Sequence, residues 1–169
     1  MQTCRHLFLD LEDTIITPVM DGWFNTHLIN VEKIKRIMAD FNPDRLHLFS
    51  FAVWNEEDLK QFNLGTRPMI ENALGRQFDS TWTVDDDILP ACLEIRKMAP
   101  GVVDSSKMSA FWGKHETFRL NMRHRHRVTW KNLQIETEVM LLDDAVWDES
   151  WEWPDLHVKG RIININNFQ

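Results

Sequence analysis

Two apolar segments, far apart in the chain, each end in a pair of carboxylates. The pairs are Asp10 and Glu12 after residues 7–9, and Asp143 and Asp144 after residues 139–142. Short apolar runs of this kind are typical of central parallel strands, whose carboxyl ends open on one crevice. Four carboxylates in one crevice repel each other unless a cation is bound, and hard oxygen ligands suit Mg²⁺. The sequence therefore predicts a magnesium site, although either pair alone is equally consistent with strand-end capping.

The segment after the first acidic pair predicts a loop, a helix and a second strand. Asn30 is a suitable N-cap, and apolar residues recur at helical spacing over residues 31–41 until Pro43 ends the helix. Residues 46–53 are apolar and aromatic, as expected for a strand, and this segment contains Ser50. The pattern is that of a strand-helix-strand unit.

The middle of the chain predicts helices, and its end predicts further strands. Helices are expected to begin near residue 55 and to cover about residues 68–78, 88–98 and 109–120. A strand is expected at 139–142, and residues 156–158 and 161–165 are expected to supply one or two further strands. Three consecutive aspartates at 85–87 suggest either a metal site or, more readily, the capping of the next helix. These elements predict one α/β domain over 1–169, a Rossmann-like three-layer sandwich with a mainly parallel central sheet.

Composition excludes several protein classes. The chain has 169 residues, 43% of them hydrophobic and 27% charged, which is typical of globular domains rather than disordered or collagenous ones. No apolar run approaches the roughly 20 residues of a membrane span, and the first residues do not resemble a signal peptide, so we expect a cytoplasmic protein with no membrane partner. Cys4 and Cys92 are too isolated for a disulfide framework or a zinc site.

Four short motifs occur in an order that is typical of one enzyme family. They are an apolar strand with Asp-Leu-Glu-Asp-Thr at 10–14, Leu-Phe-Ser at 48–50, Lys-His-Glu-Thr-Phe at 114–118, and Leu-Leu-Asp-Asp at 141–144 followed by Asp148. Together they resemble the four motifs of the haloacid dehalogenase superfamily and span most of the chain. The resemblance implies that superfamily's α/β fold and its phosphoryl-transfer chemistry.

The resemblance also implies a role for each matched residue. Asp10 would attack phosphorus and form an aspartyl-phosphate, and Glu12 would act as general acid and base. Ser50 and Lys114 would bind the phosphoryl group, and Thr14 would order the loop after the strand. Mg²⁺ would be held by Asp10, by position 12 through its backbone carbonyl, and by Asp143 or Asp144, with Asp148 behind them.

Three features depart from the family pattern or leave alternatives open. Glu12 replaces the usual second aspartate and is longer by one methylene, which would shift the acid from its ideal position. Lys107 competes with Lys114 as the lysine of the third motif. The intervals between motifs are too short for a large specificity domain, so we expect little or no cap and an open site for a nucleotide, a nucleic-acid end or a phosphoprotein.

Two further clusters suggest binding surfaces. Arg123, Arg125 and Arg127 alternate with histidines, so on a strand they would share one face that suits phosphate, nucleic acid or a protein partner; a solvated face is the simpler interpretation. The tryptophans just after the fourth motif (Trp147, Trp151 and Trp153) suit stacking on a base, although core packing explains them more readily.

Two functions remain for the same fold. The leading hypothesis is a Mg²⁺-dependent phosphomonoester hydrolase. The alternative is a weak or inactive binding protein of the same fold, in which Glu12 marks lost turnover and the basic and tryptophan-rich surfaces engage a protein or nucleotide. A third hypothesis is an unrelated Rossmann-like binding module whose acidic strand ends are structural.

Overall fold

A six-stranded sheet forms the centre of the computed structural model, which describes residues 2–168. Its strands are β1 (Gln2–Leu9), β2 (Arg45–Phe49), β3 (Ser80–Trp82), β4 (Ile135–Asp143), β5 (Glu149–Trp153) and β6 (Val158–Asn164). The spatial order is β3-β2-β1-β4-β6-β5, and every neighbouring pair is parallel except β5 and β6. The mainly parallel α/β architecture predicted from the sequence is thus confirmed.

Five α-helices connect these strands. They are α1 (Val31–Phe41), α2 (Glu56–Gln61), α3 (Arg67–Leu74), α4 (Leu89–Arg96) and α5 (Met108–Arg125), and short 3₁₀ or π turns extend several of them. No helix within residues 2–168 is long and apolar enough to span a membrane.

The sheet separates two apolar layers, because alternate strand residues point to opposite faces. Leu7 and Leu48 belong to one layer, with side chains of α1, α2 and α3. Phe8 and Phe49 belong to the other, with side chains of α4 and α5. All five helices therefore pack on the sheet, and in the described part of the chain none forms a separate layer over the strand ends.

The strand order places a topological switch point between β1 and β4. From β1 the chain builds β2 and β3 on one side and then returns to place β4 on the other side. The loops that leave β1 and β4 therefore diverge, and the crevice between them is where open α/β sheets bind ligands. Both acidic pairs found in the sequence follow these two strands.

Three details differ from the sequence-based expectation. β3 was not predicted, because three residues carry too little periodicity. β5 was not predicted either, because its exposed edge position lets polar residues alternate with tryptophans. The segment 123–127, considered as a strand, instead ends α5 and begins a π-helical turn at His126–Trp130.

A buried polar chain crosses the sheet on the α5 side. Nδ1 of His6 lies 2.9 Å from Nε2 of His47, and Nδ1 of His47 lies 2.5 Å from Oγ of Ser80, which also accepts the Trp82 indole N–H at 2.8 Å. A ring nitrogen that accepts a hydrogen bond must be unprotonated. Burial accordingly lowers the pKa of His6 to about 4 and that of His47 to about 3.

The hydrogen-bonded histidine pair predicts that the stability of the fold depends on pH. Both folded pKa values lie below the usual 6.5, so the unfolded chain binds more protons, and the stabilisation present above pH 6.5 is lost as the pH falls towards 4. The His47→Gln variant has no ionisable group at position 47. Its free energy of unfolding should therefore change less with pH between pH 7 and 5. Urea unfolding at several pH values measures this.

The difference between variant and parent is the quantity to compare, because the buried Asp10 titrates in the opposite direction in this window. His27→Gln, at an exposed position, is the matched control and should keep the parental pH dependence. Parallel curves for His47→Gln and the parent would show that the histidine pair does not govern acid stability.

Candidate metal and phosphoryl site

The carboxyl ends of three adjacent strands carry the central side chains of the site. Asp10 follows β1, Ser50 follows β2, and Asp143 is the last residue of β4. The backbone N–H of Asp10 donates to the carbonyl of Leu142 at 3.1 Å, which continues the β1–β4 pairing to the site. The parallel register therefore sets these three side chains side by side.

Three of the four predicted carboxylates form one group. Asp10, Asp143 and Asp144 each offer an oxygen, and these oxygens lie within 4.8 Å of one another. Asp10 and Asp143 are buried, and Asp144 is half-buried. Among residues 2–168 this is the one group of three or more His, Cys, Asp or Glu side chains compact enough to hold a metal ion.

Lys114 is the lysine that reaches the carboxylates. Its Nζ lies 2.8 Å from Oδ2 of Asp143 and 3.4 Å from Oδ1 of Asp10, and it also lies over the ring of Phe51 at 4.0 Å. The competing Lys107 is exposed in a 3₁₀ turn before α5. Of the two candidate lysines, Lys114 is therefore the one in the site.

A glycine sets the direction of Lys114. α5 is interrupted at Gly113, whose backbone has φ 75° and ψ 168°. Residues other than glycine are strained in this conformation. The interruption makes Lys114 the first residue of the second helical segment, so it leaves the kink towards the strand ends.

A tight turn after β1 orients Asp10. Asp13 adopts a left-handed conformation, and its N–H donates to the carbonyl of Ile16 at 2.7 Å. The turn brings the Thr14 hydroxyl within 3.1 Å of Oδ2 of Asp10 and 3.4 Å of Oδ1 of Asp144. Asn30 continues this support, because its side-chain amide donates to the Thr14 carbonyl at 3.0 Å.

The charges in the site shift the pKa values of its groups. Burial raises the pKa of Asp10; Lys114 and a hydrogen bond from Ser50 oppose this rise, Asp143 and Asp144 add to it, and the result is about 7. Burial alone would lower the pKa of Lys114, but the charges of Asp10 and Asp143 outweigh it and raise that pKa. One ammonium therefore does not fully compensate three clustered carboxylates.

The donor set fits a hard divalent cation. Oδ2 of Asp143 is buried and lies 2.8 Å from the Lys114 ammonium, with no hydrogen bond from the other described residues. The same ammonium also faces Asp10, so one positive charge is shared between two buried carboxylates, and buried charge is unfavourable unless it is compensated. Oxygen ligands from two strand ends, with an excess of negative charge, are suited to Mg²⁺.

Glu12 lies in the same turn but outside this group. Its Oε2 accepts a hydrogen bond from the backbone N–H of Val19 at 2.9 Å. The carboxylate is thus attached to the loop that follows β1, and its role as proton donor stays a prediction.

The aspartates at 85–87 lie in the first turn of a helix whose N-cap is Thr83. The Thr83 hydroxyl accepts the N–H of Asp86 at 3.2 Å, and Asp87 accepts the N–H of Thr83 at 2.9 Å. This reciprocal arrangement resembles a capping box. The acidic run thus belongs to a helix start, as the capping interpretation expects, although Thr83 supplies the cap.

The three arginines do not share a face. Arg123 packs over the ring of Trp153 at 4.3 Å, whereas Arg125 packs over Trp82 at 4.7 Å and lines a cavity of about 230 Å³. Arg127 is exposed. The common phosphate-facing surface that a strand would have formed is absent from this segment, because residues two apart on a helix point about 200° away from each other.

The tryptophans after the fourth motif divide into two groups. Trp151 and Trp153 pack against the apolar layer on the α5 side. Trp147 is 66% exposed, and its ring stacks on that of His115 at 3.5 Å. Sequence analysis missed His115 and Phe51 as neighbours of the site; the signal for His115 was its position next to Lys114.

Comparison of the chain with family models, curated proteins and solved structures finds no match.

Proposed function

We propose that this protein is a Mg²⁺-dependent phosphomonoester hydrolase of haloacid dehalogenase type. The observation that carries the proposal is the cluster of Asp10, Asp143 and Asp144 at the switch point of a parallel sheet, with Lys114 between two of them. The motifs at residues 10–14, 114–118 and 141–148 supply this cluster, and the motif at 48–50 adds Ser50, which donates a hydrogen bond to Asp10.

Asp10 is the nucleophile of the proposed reaction. Its carboxylate forms a bond to phosphorus while the bond from phosphorus to the ester oxygen breaks, which gives an aspartyl-phosphate and an alcohol. Thr14 and Lys114 contact different oxygens of Asp10, so the carboxylate has a fixed orientation. Its burial leaves little water to compete for its charge.

Proton transfer is assigned to Glu12. It gives a proton to the departing ester oxygen and then takes one from the water that attacks the aspartyl-phosphate, which releases inorganic phosphate and restores Asp10. The hydrogen bond from the Val19 N–H holds the Glu12 carboxylate against the loop after β1.

The cationic and hydroxyl groups stabilise the transferred phosphoryl group. Lys114 supplies positive charge, and Ser50 supplies a hydroxyl donor. Mg²⁺, held by Asp10, by Asp143 or Asp144 and by the carbonyl of residue 12, would neutralise charge on the phosphoryl oxygens.

One observation favours a second candidate, a binding protein with little or no turnover. Glu12 is longer than the usual aspartate, and its carboxylate is engaged by Val19. In that case the acidic cluster and Lys114 would bind a phosphorylated partner without cleaving it.

The first prediction from this proposal concerns the cation. Mg²⁺ at ten times its Kd should stabilise the fold by about 1.4 kcal/mol, because it binds the folded state alone. In thermal unfolding, millimolar Mg²⁺ should therefore raise the Tm of the parent and of Asp13→Asn. It should not raise the Tm of Asp143→Asn. An unchanged Tm in all three would contradict the metal site.

The second prediction concerns the nucleophile. Asp10→Asn retains the shape of the side chain but removes its charge, so kcat should fall on the order of 10³-fold or more. Asp13 is a neighbouring exposed carboxylate, so Asp13→Asn is the control for the loss of one charge. Activity near the parental level in a folded Asp10→Asn chain would move the chemistry to another residue.

The third prediction separates the two functions through Glu12. Glu12→Gln retains an acceptor for Val19 and should lose roughly 10²–10⁴-fold in turnover, with little change in Mg²⁺ affinity. Glu12→Asp should retain or raise the rate. A parent that is inert towards activated phosphate esters would favour the binding protein, and unaffected turnover in Glu12→Gln would refute the acid–base role.

A further inference from the structure

We infer that Trp147 is a stacking platform for the base of the substrate, which makes the substrate class a phosphorylated nucleoside. The inference rests on the proposed function, because it requires the phosphoryl group to lie at Asp10 and Lys114. It goes further by naming what the rest of the substrate must contain.

Trp147 lies beside the phosphoryl site. The loop that carries it leaves β4 directly at Asp143, so four residues limit its distance from Asp143 to at most about 14 Å. Two contacts join α5 to the end of β4 and to this loop: Lys114 lies 2.8 Å from Asp143, and the next residue, His115, donates its Nε2–H to the carbonyl of Trp147 at 3.0 Å. The same two consecutive helix residues thus contact the acidic cluster and the tryptophan.

The orientation of Trp147 is fixed. Its ring lies on the buried imidazole of His115 with an interplanar angle of 20°. Asp148 accepts the backbone N–H of Asn164 at 2.7 Å, and the Asn164 amide donates to the carbonyl of Val146 at 2.7 Å. These bonds attach the residues on both sides of Trp147 to the end of β6.

The exposure of this ring calls for a planar ligand. One face of the indole rests on His115, and the side chain is still 66% exposed. An apolar ring held in water in a single orientation gains from a partner that covers it. Every nucleobase presents a flat π-face of this kind, which is why single aromatic side chains bind bases with little sequence preference.

Other phosphate esters match this geometry less well. A sugar or glycerol phosphate has no planar group for the ring. A phosphoprotein would need a contact surface on the order of 1,000 Å², far more than one indole supplies. A free nucleotide and a phosphorylated nucleic-acid end share the same base and phosphate, so the experiment distinguishes these two sources.

The test compares kcat/KM for AMP, a 5′-phosphorylated oligonucleotide, glycerol phosphate and a phosphoserine peptide, all with Mg²⁺. The parent should prefer AMP or the oligonucleotide, and the better of the two identifies the source. In Trp147→Ala the ratio of kcat/KM for AMP to that for glycerol phosphate should fall roughly 5- to 150-fold. Trp147→Phe should keep most of the ratio, and Phe111→Ala, at another exposed aromatic residue, should keep all of it.

Several results would overturn the platform while leaving the phosphatase intact. They are a preference for the peptide, an unchanged ratio in Trp147→Ala, or an equal loss in Phe111→Ala. If the parent cleaves none of the four esters, the proposed phosphatase function fails, whatever the role of Trp147. A binding measurement then tests the platform by itself. Quenching of indole fluorescence by AMP in Asp10→Asn that disappears in Asp10→Asn/Trp147→Ala supports the platform, and equal quenching in both refutes it.

Discussion

Negative charge is buried at the ends of the central strands, and the structure depends on positive charge that compensates it. Asp10 and Asp143 lie side by side because β1 and β4 are parallel neighbours, and Asp144 adds a third carboxylate. Removing such groups from water is unfavourable unless opposite charge is close. Lys114 supplies one positive charge, yet the pKa of Asp10 is still raised to about 7. This excess of negative charge is the physical basis of the proposed Mg²⁺ site.

The rest of the fold provides the parts that hold this cluster. The switch point opens the crevice, Gly113 aims the lysine, and the turn at Asp13 returns the Thr14 hydroxyl to Asp10. The aromatic layer beneath the α5 face contributes rigidity, since Phe8 packs edge-on against the rings of Phe49, Trp82 and Phe118. Closely packed interiors of this kind resist displacement, so the side chains of the site keep their positions relative to the sheet.

The two ends of the sheet have different electrostatic requirements. At the carboxyl ends, three carboxylates and one ammonium are concentrated. Nearer the amino ends, His6 and His47 are held neutral by burial and by hydrogen bonding to each other and to Ser80. The first arrangement is open to chemistry, whereas the second is satisfied within the protein and contributes to specificity of packing.

Sequence alone determined the features that follow from local pattern. Apolar runs ending in carboxylates identified β1, β4 and three members of the acidic cluster, and helical spacing with Asn30 and Pro43 gave the bounds of α1. Tertiary structure decided the features that depend on neighbours. Gly160 lies within β6 opposite Trp151, and only glycine fits there because a Cβ would collide with the Trp151 ring across the strand pair. Long-range packing likewise decided that Lys114 rather than Lys107 reaches the site. It also separated Arg123 from Arg125 and stacked Trp147 on His115. Local sequence encodes periodicity and charge, but which distant side chains meet is fixed only when the sheet order brings their strands and helices together.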